Sequence, residues 1–122
     1  GSCKKVILYL ISTSNVFQNQ DKAVEKINDV LSTFKQNENI ALLWYPLPIL
    51  PETSEAFDSN FLTDYKKIID EFIKEGWGII VDDTSLEKAI EIADAFYGDA
   101  DAVTLRMSDL KKPVMLQNYD VI

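Results

Sequence analysis

The chain alternates between short apolar runs and longer segments in which apolar residues recur every three or four positions. Short runs rich in β-branched and aromatic residues are typical of strands buried on both faces of a sheet. The longer segments have the spacing of amphipathic helices. The predicted strands are residues 5–11, 40–45, 77–81, 95–98 and 113–117, and the predicted helices are residues 21–36, residues 61–74, a helix beginning at Ser85, and residues 101–110.

This alternation predicts an α/β fold, a three-layer Rossmann-like domain with a five-stranded parallel sheet joined by right-handed crossovers. A length of 122 residues suits one domain, so residues 1–122 are predicted to form a single unit. If the spatial strand order is 3-2-1-4-5, the carboxyl ends of the first and fourth strands flank the switch point. Ligands of doubly wound sheets bind at such points.

Local signals mark several boundaries between these elements. Pro46 begins a segment that runs to residue 60, contains three prolines and lacks periodicity, so it is predicted to be a long loop. Gly76 is predicted to end the second helix. The spacing of Thr84 and Glu87 fits a capping box, which places the start of the third helix at Ser85.

Composition narrows the function classes. The formal net charge of −8 repels nucleic acid and anionic membranes, and no apolar run approaches the roughly 20 residues of a membrane span. A lone cysteine, Cys3, suits a reducing cytoplasm, and the adjoining Gly1-Ser2 pair is typical of a cleaved expression tag. We therefore expect a cytoplasmic protein with no nucleic-acid partner and no membrane span in this chain.

Several common chemistries lack their residues. The chain has no histidine and one cysteine, which excludes histidine triads and histidine zinc sites and disfavours a thiol nucleophile. Its four glycines form neither a dinucleotide-binding nor a Walker pattern. We therefore predict no catalytic residue, no metal site and no cofactor for this chain by itself.

Ligand-binding candidates follow the predicted strands, and most have an alternative structural role. The aspartates could gather a hard cation, but capping of helices and turns is the favoured interpretation. Trp44 could stack on a sugar or base, or pack beneath the following loop. Lys111 and Lys112 could clamp a phosphate only if they faced the crevice, and a solvated helix end is favoured. The candidate binding residues are Ser12, Thr13, Ser14, Trp44, Tyr45, Asp82, Asp83, Asp99 and Asp101.

Four blocks of sequence, in this order, carry a resemblance to a known family. They are residues 42–48 (LLWYPLP), 65–78 (YKKIIDEFIKEGWG), 93–99 (ADAFYGD) and 112–118 (KPVMLQN). Together they resemble the C-terminal half of bacterial CDP-glycerol glycerophosphotransferase-like proteins, which are similar to GT-B glycosyltransferases. The resemblance implies a Rossmann-like nucleotide-donor domain that is paired with an additional N-terminal acceptor domain in the full-length protein.

The resemblance also implies a role in the synthesis of a cell-surface polymer, teichoic acid or capsule, with a nucleotide-linked small molecule as partner and a location at the inner face of the membrane. The family has Trp-Arg-Pro-His-Pro or a similar sequence after the second strand, where this chain has Tyr45 and Leu47 in place of the basic residues. Ala100 and Asp101 replace the family's hydroxyl residues after Asp99. A degenerate donor site, inactive alone, is therefore expected. The alternative is a non-catalytic binding or protein-interaction module on the same scaffold.

Overall fold

The computed structural model describes residues 5–46, 55, 57–99 and 102–116. Its strands are β1 (Lys5–Leu10), β2 (Ile40–Tyr45), β3 (Gly78–Ile80), β4 (Ala95–Gly98) and β5 (Val114–Leu116), and its helices are α1 (Thr13–Gln18), α2 (Gln20–Lys35), α3 (Ser59–Glu75), α4 (Leu86–Ile92) and α5 (Ala102–Asp109).

The five strands form one parallel sheet in the order β3-β2-β1-β4-β5. This confirms the predicted α/β class, the five-stranded parallel sheet and the conditional strand order. The order reverses between β1 and β4, so the switch point lies between their carboxyl ends. Parallel neighbours end at the same edge, and most of the described candidate binding residues lie there.

Helices cover both faces of the sheet and produce two separate hydrophobic cores. Residues of α2 and α3 share one core with Ile7 and Tyr9, whereas residues of α4 and α5 share the other with Leu8 and Leu10. Successive side chains of a strand point to opposite faces, which is why β1 contributes to both cores and reads as a continuous apolar run.

The first core is rich in aromatic rings. Trp44 on β2 lies parallel to Tyr9 of β1 and meets Phe72 of α3 edge to face. A second aromatic row runs along α3, where Phe61 stacks on Tyr65. These contacts fix α3 against β2, because aromatic pairs stabilise beyond the area that they bury.

Several predicted boundaries were wrong. Helix α1 was missed, and α3 begins at Ser59, two residues before the predicted start and inside the predicted loop of residues 46–60. Helix α4 begins at Leu86, one residue later than predicted. Residues 47–54 and 56 of the predicted loop, and residues 100, 101 and 117, lie outside the described residues. Gly76 ends α3 as predicted, with a left-handed φ of 69°.

Candidate functional site

The carboxyl edge of the sheet brings together most of the candidate binding residues. Leu10 is in register with Tyr45 on one side and with Gly98 on the other, so β1, β2 and β4 end side by side. Ser12 follows β1 and Asp99 follows β4. The described charged residues that directly follow strands β1 to β4 are all acids: Asp82, Asp83 and Asp99.

The carboxylate of Asp99 lies at the switch point and connects the ends of β1 and β4. Its side chain is 3% exposed, and its Oδ2 accepts the backbone N–H of Ser12 at 2.9 Å. Its backbone N–H donates to the carbonyl of Leu10 at 3.0 Å, and Thr104 Oγ1 donates to the Asp99 carbonyl at 3.4 Å. The N–H group of Ser12 at the β1 exit therefore already donates to a carboxylate from within the chain.

Gly98 allows this close approach of β4 to β1. It has a φ of 144°, a conformation that side-chain-bearing residues rarely adopt. A Cβ at this position would stand 2.1 Å from the Leu10 carbonyl oxygen. The glycine at the switch point thus sets the backbone path that carries Asp99 to Ser12.

At the neighbouring strand ends, Tyr45 and Asp83 form the second contact of the edge. The Tyr45 hydroxyl donates to Asp83 Oδ1 across the ends of β2 and β3. Tyr45 also packs partly into the core of α4 and α5. The family that this chain resembles has an arginine at the position of Tyr45. Here the side chain is neutral and is hydrogen-bonded to Asp83.

Asp82 organises the turn that leads into α4. Its Oδ1 accepts the backbone N–H groups of Thr84 and Ser85 at 3.0 and 3.1 Å and also accepts both hydroxyls. The hydroxyl of Thr84, followed by that of Ser85, holds the pKa of the Asp82 carboxyl below its ordinary value. The predicted capping box is wrong, because Thr84 donates to Asp82 and Glu87 pairs with Arg106 on α5.

Trp44 lies away from the crevice. Its side chain is fully buried between Tyr9, Tyr65 and Phe72, and its Nε1 has no hydrogen-bond partner. The indole is therefore part of the hydrophobic core, and its ring is closed to a ligand at the strand ends in this structure.

The remaining candidates fall elsewhere or outside the description. Thr13 and Ser14 occupy the first turn of α1, and the structure describes only their backbone. Asp101 lies outside the described residues. Lys112 precedes β5 and its Nζ donates to the carbonyls of Ile90 and Glu91 at 2.7 and 2.8 Å, where it caps the end of α4 rather than facing the crevice.

The sheet edge carries acidic side chains, and the carboxylates of Asp82, Asp83 and Asp99 accept hydrogen bonds from other residues of the chain. Burial raises the pKa of Tyr97 on β4, and the carboxylates of Asp29 and Asp99 raise it further. Within the described ranges, no group of three or more Asp, Glu, Cys or His side chains is arranged to hold a metal ion. This arrangement can present hydroxyl and carboxylate oxygens to a ligand, and it is poorly suited to a diphosphate.

One set of functional candidates was missed by sequence reasoning. Gln20 at the start of α2 bridges α1 and α3, since its Nε2 donates to the Phe17 carbonyl at 3.2 Å and its Oε1 accepts the Asp58 N–H at 2.8 Å. A glutamine at a helix start carries no distinctive sequence signal. The 48% exposure of Phe17, whose carbonyl accepts from Gln20, is likewise known only from the structure.

Comparison of the chain with protein-family models, with curated proteins and with solved structures gives no match. Across the described part of the chain, none of the helices combines the length and the apolar character needed to cross a membrane.

Proposed function

We propose that this chain is the donor-type domain of a CDP-glycerol glycerophosphotransferase-like protein in cell-surface polymer synthesis, with a degenerate donor site and no transferase activity of its own. The proposal includes a further N-terminal acceptor domain in the full-length protein and a cytoplasmic location. It is supported by the sequence blocks described above and by the Rossmann-like strand order, which is the architecture that the resemblance implies.

The contact between Asp99 and Ser12 supports the proposal that the donor site is degenerate. The N–H group at the β1 exit, where a phosphate would bind, already donates to a buried carboxylate. A diphosphate placed there would lose this donor and would face a like charge at close range, which costs about 1 kcal/mol in water and more in a partly buried site. Tyr45 supplies no positive charge to offset that cost.

The test is calorimetric titration of the purified domain with CMP, CDP-glycerol and UDP-sugars. We expect dissociation constants weaker than about 10 μM, which corresponds to roughly 7 kcal/mol. Tighter binding of CDP-glycerol to the unaltered chain would overturn the proposed degeneracy. The double substitution Tyr45→Arg and Leu47→His, the second at a position outside the described residues, should strengthen binding of CDP-glycerol.

Tyr45→Phe is the matched control, because it removes the hydrogen bond to Asp83 without adding charge. A gain in affinity with the double variant but not with Tyr45→Phe would support a relation to the transferase family. No gain in either variant would count against that relation.

The alternative is a non-catalytic interaction module, and exposed apolar side chains on the edge strands favour it. Ile79 on β3 is 62% exposed, and Met115 and Leu116 on β5 are 52% and 57% exposed. Apolar edge strands promote association with other chains. Self-association that is abolished by Ile79→Lys or Met115→Lys, together with no response to nucleotides, would favour the module over the transferase relation.

A further inference from the structure

A second concave site lies beside the N-terminal ends of α2 and α3, next to α1. It is an open groove of about 820 Å³. Neither Ser12, Tyr45 nor Asp99 lines it, so it is separate from the strand-end site. Its described lining residues are Phe17, Gln18, Gln20, Val24, Glu25, Asn28, Asp58, Asn60, Phe61 and Asp64.

Seven of these ten lining residues are Asp, Asn, Glu or Gln. Each carries a planar carboxylate or carboxamide with two adjacent polar atoms, and together they offer both donors and acceptors. Adjacent hydroxyl groups on a saccharide ring match such planar groups, because a hydroxyl can donate and accept at the same time. The lining therefore suits a ligand that is rich in hydroxyl groups.

The apolar part of the groove is aromatic. Phe17 is 48% exposed and meets Phe57 edge to face, and Phe57 in turn stacks on Phe61. Phe57 and Phe61 are buried, and Phe57 contacts the exposed ring directly. An exposed, supported aromatic ring gives the C–H face of a saccharide an apolar surface to contact.

Hydrogen bonds of one side chain connect two walls of the groove. The Gln20 side chain links the end of α1 to the start of α3, through Phe17 and Asp58. By contrast, within the described ranges the side chains of Asn28 and Asn60 make no hydrogen bond to another residue. A preorganised wall with available polar groups lowers the ordering cost of binding.

The negative charge of the groove limits which hydroxyl-rich ligands it can bind. Glu25, Asp58 and Asp64 contribute carboxylates, and no Lys or Arg is among the described lining residues. Phosphorylated or acidic ligands would be repelled. We propose that this groove is a binding site for a neutral saccharide, and this proposal does not depend on the transferase relation.

The experiment is an NMR titration of the uniformly ¹⁵N-labelled domain with chitotriose and maltotriose as neutral probes. Glycerol 3-phosphate and a lysine-rich peptide are titrated in parallel. We expect saturable shifts from at least one trisaccharide, confined to the amides of residues 17–28 and 58–64. Glycerol 3-phosphate should leave these amides unchanged.

The double variant Asn28→Ala and Asn60→Ala should weaken trisaccharide binding by about tenfold, equivalent to about 1.4 kcal/mol. Both positions are exposed and helical, where alanine is well tolerated. Asn39→Ala, an exposed position just before β2, is the matched control and should bind as the unaltered chain does.

Three outcomes would overturn the proposal. In the first, neither trisaccharide shifts the groove amides up to its solubility limit. In the second, the shifts appear but the double variant binds as well as the Asn39→Ala control. In the third, only the lysine-rich peptide binds, which would make the groove an acidic protein-docking surface. The nucleotide titrations at the strand ends bear on none of these outcomes, so this proposal and the proposed function fail separately.

Discussion

Replacement of Gly98 by alanine is the sharpest test of how the switch point is built. Gly98 pairs in register with Leu10, and an added Cβ would lie 2.1 Å from the Leu10 carbonyl oxygen and 2.9 Å from its nitrogen. Both obstacles are backbone atoms of a central strand, so relief requires movement of β1 relative to β4. The substitution therefore tests the sheet itself.

The expected cost has two parts. A strained φ at a residue with a side chain costs about 1–3 kcal/mol, and overpacking against fixed atoms costs about 1–3 kcal/mol more. Alanine also restricts the unfolded chain, which offsets the loss of stability by about 0.4–1 kcal/mol. We expect Gly98→Ala to lower the free energy of unfolding by about 3 kcal/mol, near the middle of the range that these terms give. This is a large share of the roughly 5–15 kcal/mol that is usual for a domain.

Gly76→Ala is the matched control, because Gly76 also has a positive φ, 69°, but no atom lies within 4 Å of its added Cβ. Its cost should be about 1 kcal/mol, from backbone conformation alone. Urea unfolding followed by far-ultraviolet circular dichroism gives both values. Hydrogen exchange at the Ser12 amide should also accelerate in Gly98→Ala, because β4 displaces the Asp99 carboxylate that accepts this proton.

Equal destabilisation by the two substitutions would refute the reasoning, since only Gly98 has backbone atoms in the path of its Cβ. Unchanged exchange of the Ser12 amide, despite a large loss of stability, would show that Gly98 supports the sheet without positioning Asp99.

Two further predictions concern the turns around α4. The pKa of Asp82 is lower in the folded chain than its reference value of 3.8, so its contribution is complete above that pH and is lost as the pH falls through the folded pKa. The melting temperature of Asp82→Asn should accordingly fall less steeply than that of the unaltered chain below about pH 4, and parallel acid profiles would contradict this. Lys112→Met should cost about 1 kcal/mol in urea unfolding, because the carbonyls of Ile90 and Glu91 lose their cationic donor while the apolar stem is retained. An unchanged unfolding midpoint would show that water replaces the ammonium without loss.

The residues at the strand ends could be named from the sequence, but their partners could not. Apolar runs identified four strand ends, and Ser12, Tyr45, Asp82 and Asp99 do lie there. The bond from Ser12 to Asp99 spans 87 positions, and it exists only because β1 and β4 are neighbours in the sheet. Local sequence patterns do not show which residues so far apart in the chain come into contact. The hydrogen bond between Ser12 and Asp99 was therefore not predicted.

Trp44 shows the limit of strand patterns in a sheet that is covered on both faces. Its neighbours in β2 are all apolar, so the sequence contains no alternation to show which side chains face which core. Register with Tyr9 and contact with α3 place the indole inside the first core. The resulting choice between a ligand platform and a core residue was decided by tertiary packing.

By itself, the sequence determined the class of each long element, their order along the chain, and hence the parallel α/β architecture, because helical and strand periodicities are local properties of hydrophobic spacing. Helix α1 was not predicted because six residues are too few to show a helical period. Only the tertiary structure decided that Lys112 caps α4, that Asp99 accepts the N–H of Ser12, and that α1, α2 and α3 border an open polar groove. Each of these depends on residues far apart in the chain, whose meeting is set by the packing of whole elements.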